Sequence, residues 1–94
     1  KARIVVITIP NYSLTPSGAK FGSPEKVTTL LEQYNQVIVE EAKKKNIPVV
    51  DIWDISEGVR ETPSLTTEDG LHPSAKQYTL WTDKILVTVE SLLR

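Results

Sequence analysis

Ile4-Val5-Val6-Ile7-Thr8-Ile9 is an unbroken run of β-branched residues closed by Pro10. Branching at Cβ costs rotamer freedom in a helix and suits a pleated surface, so the run predicts a strand. Its hydrophobicity is continuous rather than alternating. That pattern implies a strand covered on both faces, as in the interior of a parallel sheet. Ile47-Pro48-Val49-Val50-Asp51-Ile52-Trp53 has the same character, with Pro48 near its start, where a missing N–H is tolerated. Between the two runs, Ser23-Pro24-Glu25 reads as a helix start: serine as N-cap, proline at the first helical position and an acid in the first turn. Val27, Leu30, Leu31, Tyr34, Val37, Ile38 and Ala42 then recur at helical spacing and predict one apolar stripe against a sheet. Lys43-Lys44-Lys45 lies in the last turn, where cations complement the helix dipole, and Asn46 is the stop. Strand, helix and strand of these lengths form a βαβ unit, whose crossover is right-handed.

The remaining stretches are placed around that unit. Asn11 to Ser23 contains Pro16, Gly18 and Gly22 among serines and threonines, and reads as a long loop leaving the C-terminal end of a strand. Ligands bind at such strand ends in open α/β sheets, so a substrate-facing role and a plain surface loop are both open. Asp54 to Glu61 offers a helical turn through Ile55 and Val59, and Thr62 to Gly70 is polar loop. From Pro73 to Leu93 the helical period returns, with Tyr78, Trp81, Ile85, Leu86, Val89, Leu92 and Leu93 as the expected buried face. Pro73 fits the first helical position, which would set His72 at or beside the N-cap. The order β-α-β-loop-α predicts an α/β fold, a partial three-layer α/β/α sandwich with parallel strands. Only two strands are found where such sheets need several, and the first begins directly after Lys1-Ala2-Arg3. The expectation is therefore one domain at most, residues 1–94, forming the C-terminal portion of a larger one.

Composition narrows the function classes. Eleven basic and 12 acidic residues give a formal net charge of -1, which supplies no electrostatic reason to bind nucleic acid. The absence of cysteine excludes disulfides, thiolate metal sites and a cysteine nucleophile. No apolar run approaches the roughly 20 residues of a membrane span.

The chemistry concentrates in Asp69-Gly70-Leu71-His72-Pro73, which holds the only histidine. A general base for a hydroxyl nucleophile needs an imidazole fixed in one tautomer, and a carboxylate accepting from Nδ1–H does this while Nε2 faces the nucleophile. An acid and a histidine three residues apart across a glycine can meet in a tight turn. The same residues also describe an ordinary turn and helix cap, and that reading stands beside the catalytic one. One histidine, with Asp51 and Asp54 on another segment, gives no recognisable metal-ligand spacing.

Asp69-Gly70-Leu71-His72-Pro73-Ser74, followed by Gln77-Tyr78 and Trp81, resembles the last sequence block of the SGNH hydrolases, the group that includes GDSL-type esterases and lipases. Ile9-Pro10-Asn11-Tyr12 with Thr15-Pro16 resembles a strand-end segment of one bacterial branch, and the intervening helix and strand fall in the same order. The resemblance implies the C-terminal half of a flavodoxin-like SGNH fold, with Asp69 as triad acid and His72 as base. It implies no metal or organic cofactor and a small-molecule ester as substrate. The family's nucleophile lies in a Gly-Asp-Ser motif near its N-terminus, with oxyanion donors in upstream blocks. Ser13, Ser23, Ser56, Ser64, Ser74 and Ser91 have no such setting. Asn11 does not match the oxyanion asparagine's block. The chain alone is thus expected to be inactive, supplying the Asp–His part of a Ser-His-Asp triad. The alternative is a non-catalytic α/β piece that docks on a missing N-terminal half or self-associates through an exposed sheet edge. A carbohydrate-binding surface rests only on Trp53, Trp81 and Tyr12.

Overall fold

The computed structural model describes residues 2–94. Two short parallel strands, β1 (Val6–Ile7) and β2 (Val49–Val50), pair in the register Val6 to Val49 and Ile7 to Val50. Val6 N donates to the Pro48 carbonyl at 3.0 Å and Thr8 N to that of Val50 at 3.1 Å. Helices α1 (Pro24–Lys44), α2 (Trp53–Glu57) and α3 (Ala75–Leu93) complete the regular structure. The chain is thus of mixed α/β type, with the βαβ unit in the expected order.

The strands are shorter than the β-branched runs, and the ends have identifiable causes. Asn35, buried on α1, accepts from Ile9 N through Oδ1 at 2.8 Å and donates to Ile9 O through Nδ2 at 2.9 Å. One side-chain amide thereby satisfies both backbone groups of the residue at which β1 stops pairing. β2 ends at Asp51, whose Oδ1 accepts from Trp53 N at 2.9 Å and turns the chain into α2. That helix starts earlier than the turn expected over Asp54 to Glu61, and Trp53 belongs to it rather than to the strand. Ile55 is half-buried and Val59, just beyond the helix, is buried. Two-sided coverage of the first run is not observed: Ile4 and Ile7 are exposed, because a two-stranded sheet offers each strand only one neighbour.

Helix α1 begins on Ser23 with Pro24 at the first position, as its sequence predicts. It ends in a Schellman-type cap: Asn46 takes the left-handed conformation (φ 56°), Asn46 N donates to Lys43 O at 3.2 Å and Ile47 N to Ala42 O at 2.8 Å. Its apolar positions divide. Leu31 and Ala42 are buried and Val27 and Ile38 half-buried, whereas Leu30, Tyr34 and Val37 stand exposed beside them. Helix α3 shows the same division. Trp81, Ile85, Val89 and Leu92 are half-buried, but Tyr78, Leu86 and Leu93, expected in the buried face, are exposed. The start of α3 also differs from expectation. Ser74 is the N-cap, its hydroxyl accepting from Gln77 N at 3.3 Å. Pro73 precedes the helix and pairs with Thr66 in an antiparallel bridge. Ser74 outcompetes the proline start because its side chain satisfies a free amide of the first turn. Among the described residues no helix is long and apolar enough to cross a membrane.

The core is small and partly polar: Ile52, Val50, Val59 and Leu65 are buried alongside Thr8, Asn11, Ser13, Ser56 and Gln77. Replacing Asn35 with leucine keeps the helix but strands the N–H and C=O of Ile9. Ile9 is half-buried, so each unpaired group costs toward the lower end of the about 1–3 kcal/mol of a fully buried one. The expected loss on urea denaturation is about 1–3 kcal/mol for Asn35→Leu, with Asn35→Gln no full replacement because its longer arm misplaces the amide.

Candidate active site

The loop between the 3₁₀ turn Pro63–Leu65 and α3 is built by its backbone before any side chain acts. Thr67 N donates to His72 O at 2.9 Å and Gly70 N to Thr67 O at 3.0 Å, closing residues 67–72 into a compact turn. Gly70 takes φ 73°, a conformation in which a Cβ would be strained and would also come within 2.9 Å of Ser17 Oγ. The glycine between the acid and the histidine is therefore required twice, by its own backbone and by its neighbour.

Asp69 divides its two carboxylate oxygens between separate tasks. Oδ1 accepts from Thr67 Oγ1 at 2.5 Å, Leu71 N at 2.9 Å and His72 N at 3.0 Å, and so fixes the turn. Oδ2 meets His72 Nδ1 at 2.5 Å. The Thr67 hydroxyl above all, then His72 and the two backbone N–H groups, holds the Asp69 carboxyl well below the usual carboxylate range; slight desolvation opposes this weakly. The His72 side chain is 68% exposed, and its Nε2 makes no hydrogen bond among the described residues. An imidazole held at Nδ1 with Nε2 open to solvent has the arrangement a general base needs. The structure brings Asp69 and His72 together. The turn reading of the sequence also holds, through Oδ1, and His72 itself lies ahead of the N-cap Ser74.

The loop after β1 is tied to this turn. Residues 11–22 fold into two 3₁₀ turns, Tyr12–Leu14 and Gly18–Phe21. Asn11 is buried and anchors the first: Oδ1 accepts from Ser13 N at 3.2 Å and Ser13 Oγ at 2.6 Å, and Nδ2 donates to Thr28 Oγ1 at 2.9 Å. Its backbone N–H reaches Ser56 Oγ at 2.8 Å. Gly18 allows the second turn to close on the first, since a Cβ there would overlap the Tyr12 carbonyl. Ser17 then bonds two consecutive carbonyls of the acid-bearing turn, Asp69 O through Oγ at 2.7 Å and Gly70 O through its N–H at 2.8 Å. Tyr12, Phe21, Leu71, His72 and Pro73 line one open cleft as a result.

Sequence reasoning missed Thr67 and Ser17. The hydroxyl two residues before Asp69 was the available signal for Thr67; Ser17, 52 residues away, gave none. Among the described residues no serine hydrogen-bonds to His72. Ser13 and Ser56 are buried and bonded internally, and Ser17, Ser64 and Ser74 bond within loops. Among the described residues no group of three His, Asp or Glu side chains is placed to hold a metal ion. Trp81 is half-buried and packs edge-on against Tyr78 with ring centroids 5.0 Å apart, as a helix-face residue does.

The chain is of mixed α/β type and presents a carboxylate–imidazole pair on the loop before its last helix. The chain belongs to the GDSL-like lipase/acylhydrolase family, whose model matches residues 1–80 and so takes in both strands, the Ser17 loop and the Asp69–His72 pair. Comparisons with curated proteins and with solved structures gave no match. Membership supports a hydrolase-type function, consistent with a small-molecule substrate.

The depressed carboxyl gives a direct test. A folded-state value below the unfolded one means that Asp69 contributes stability above the ordinary aspartate pKa, and that the contribution is lost only as pH falls from there through the depressed value. The Asp69 carboxyl carbon resonance is expected to keep its ionised position from about pH 5 to about pH 3, where ordinary aspartates take up a proton. Thr67→Val, which removes the first contributor, is expected to move its titration back toward that range.

Proposed function

We propose that residues 1–94 are the C-terminal portion of a single SGNH-hydrolase-like domain, a three-layer α/β/α sandwich, and supply the Asp–His part of a Ser-His-Asp triad that hydrolyses carboxylic esters. The contact of Asp69 Oδ2 with His72 Nδ1 at 2.5 Å, beside an unengaged Nε2, carries this reading. In it, the serine and the oxyanion donors lie outside these 94 residues. His72 Nε2 removes the serine proton as the hydroxyl attacks the ester carbon. Asp69 holds the ring's orientation and stabilises the imidazolium. The same proton then passes to the leaving alkoxide, and water repeats the sequence on the acyl-enzyme. No step calls for a metal or organic cofactor.

The test joins these residues to a Gly-Asp-Ser-bearing family segment, in one polypeptide or as a second chain, and measures hydrolysis of a short-chain aryl ester. His72→Ala is expected to lower kcat by about 10⁶ and Asp69→Asn by about 10⁴, the latter because an amide favours the wrong tautomer. Activity indifferent to His72→Ala would defeat the proposal. The 94-residue chain by itself is expected to show no turnover above an unrelated protein, since half a triad without an oxyanion hole does little for a tetrahedral intermediate.

A second reading, as an interaction or assembly piece, is favoured by one group of observations. Ile4, Ile7, Leu30, Tyr34, Val37, Leu86 and Leu93 are all exposed, and the sheet has two free edges. Such surfaces pair with further strands and helices or with another copy. Sedimentation of the 94-residue chain is expected to show concentration-dependent association; a monomer at every concentration rules out assembly with another copy.

A further inference from the structure

The cleft beside His72 has a definite chemical character. Phe21 is 65% exposed and Tyr12 38% exposed, and their rings meet edge to face with centroids 6.1 Å apart. Leu71 and Pro73, the chain neighbours of His72, complete the lining. The only polar side-chain atoms in this lining belong to His72 itself and to the Tyr12 hydroxyl. Two large exposed aromatic side chains on an irregular loop gain little from folding in that position. Yet the loop that carries them is fixed by Asn11, by the close approach at Gly18 and by the two Ser17 bonds to Asp69 and Gly70. The loop that carries the shelf is thereby tied to the turn that carries His72.

Taken with the triad reading, on which it rests, this geometry identifies which part of a substrate the shelf meets. When the tetrahedral intermediate collapses, the C–O bond to the alcohol breaks and its electron pair stays on that oxygen. The oxygen takes the proton from His72 Nε2, and the acyl carbon stays bonded to the serine. Transfer requires Nε2 within hydrogen-bond reach of the leaving oxygen. The carbon substituent on that oxygen is then the part of the substrate nearest the imidazole, one bond closer than the acyl chain. We infer that Tyr12, Phe21, Leu71 and Pro73 form a leaving-group shelf, and that the favoured substrates are esters of an apolar alcohol, aromatic or alkyl. A polyol would gain little from the aromatic and aliphatic side chains of the shelf, which offer it only the Tyr12 hydroxyl and His72 as side-chain partners.

The experiment uses the triad-complete polypeptide of the esterase test and compares kcat/KM for benzyl, methyl and glyceryl acetate, with methyl hexanoate reporting on the acyl side. Benzyl acetate is expected to be preferred over glyceryl acetate. Phe21→Ala is expected to reduce the benzyl-over-methyl preference about tenfold, and Phe21→Leu to restore most of it. Phe21 is exposed in this chain, so its truncation opens no core among residues 2–94. A Phe21→Ala effect that falls on the hexanoate-over-acetate preference instead would make the shelf an acyl site and overturn the inference, and so would no change in either preference. Binding of benzyl alcohol separates this inference from the triad. It is expected to shift the ring resonances of Phe21 and His72 in the wild type and to leave His72 unshifted in Phe21→Ala. Those shifts without any serine-dependent turnover would retain the shelf and reject the triad. His72-dependent turnover without them would retain the triad and reject the shelf.

Discussion

The site depends on a single carboxylate doing two unlike things at once. Through Oδ1, Asp69 gathers a hydroxyl and two backbone N–H groups and so gives the turn its shape. Through Oδ2 it holds the imidazole. The first task serves the second: three donors on one oxygen keep the carboxylate ionised and immobile, which is what a partner for Nδ1–H must be. An acid that oriented the histidine alone, at this degree of exposure, would be free to rotate away into water. Here rotation would break the turn.

A similar economy of polar groups runs through the interior. A sheet of two strands cannot satisfy the backbone of either strand on both edges, and the core is too small to exclude polar side chains. Asn35 takes the place of a neighbouring strand for Ile9, Asn11 joins the end of β1 to α1 and to Ser56, and Thr8 Oγ1 links the two strand ends by accepting from Ile52 N at 3.0 Å and donating to Asp51 at 3.2 Å. Buried amides and hydroxyls of this kind specify position more sharply than apolar packing does, because a misplaced partner leaves a group unpaired. They fix the strand ends, and the strand ends carry the loops of the site.

What could be read from the sequence follows from where the deciding interactions lie. The elements are legible because their causes are local: β-branching for the strands, Ser23-Pro24 and Asn46 for the two ends of α1, a three-residue spacing for the Asp69–His72 pair. The errors fall where a distant partner decides. The strands end early because Asn35 and Asp51 capture backbone groups, which hydrophobic pattern does not register. Pro73 looked like a helix start, but Ser74 has the side chain that caps, and the bridge to Thr66 holds the proline outside the helix. Leu30, Tyr34, Val37, Leu86 and Leu93 read as buried because periodicity measures amphipathicity and not the presence of something to pack against. Ser17 could not have been singled out at all, since its partners are carbonyls that any residue possesses.

That last contact bears on how such a chain can diverge. Ser17 grips the backbone of the turn that carries Asp69 and ignores its side chains, so the path of the 11–22 loop is locked to that turn while the side chains it displays are not. An insertion or deletion between Asn11 and Gly22 would drag the turn with it and disturb His72. A point change at Tyr12 or Phe21 would leave His72 where it is. Variation in this loop is therefore channelled into composition and away from length, and the surface next to the histidine can be rewritten one residue at a time.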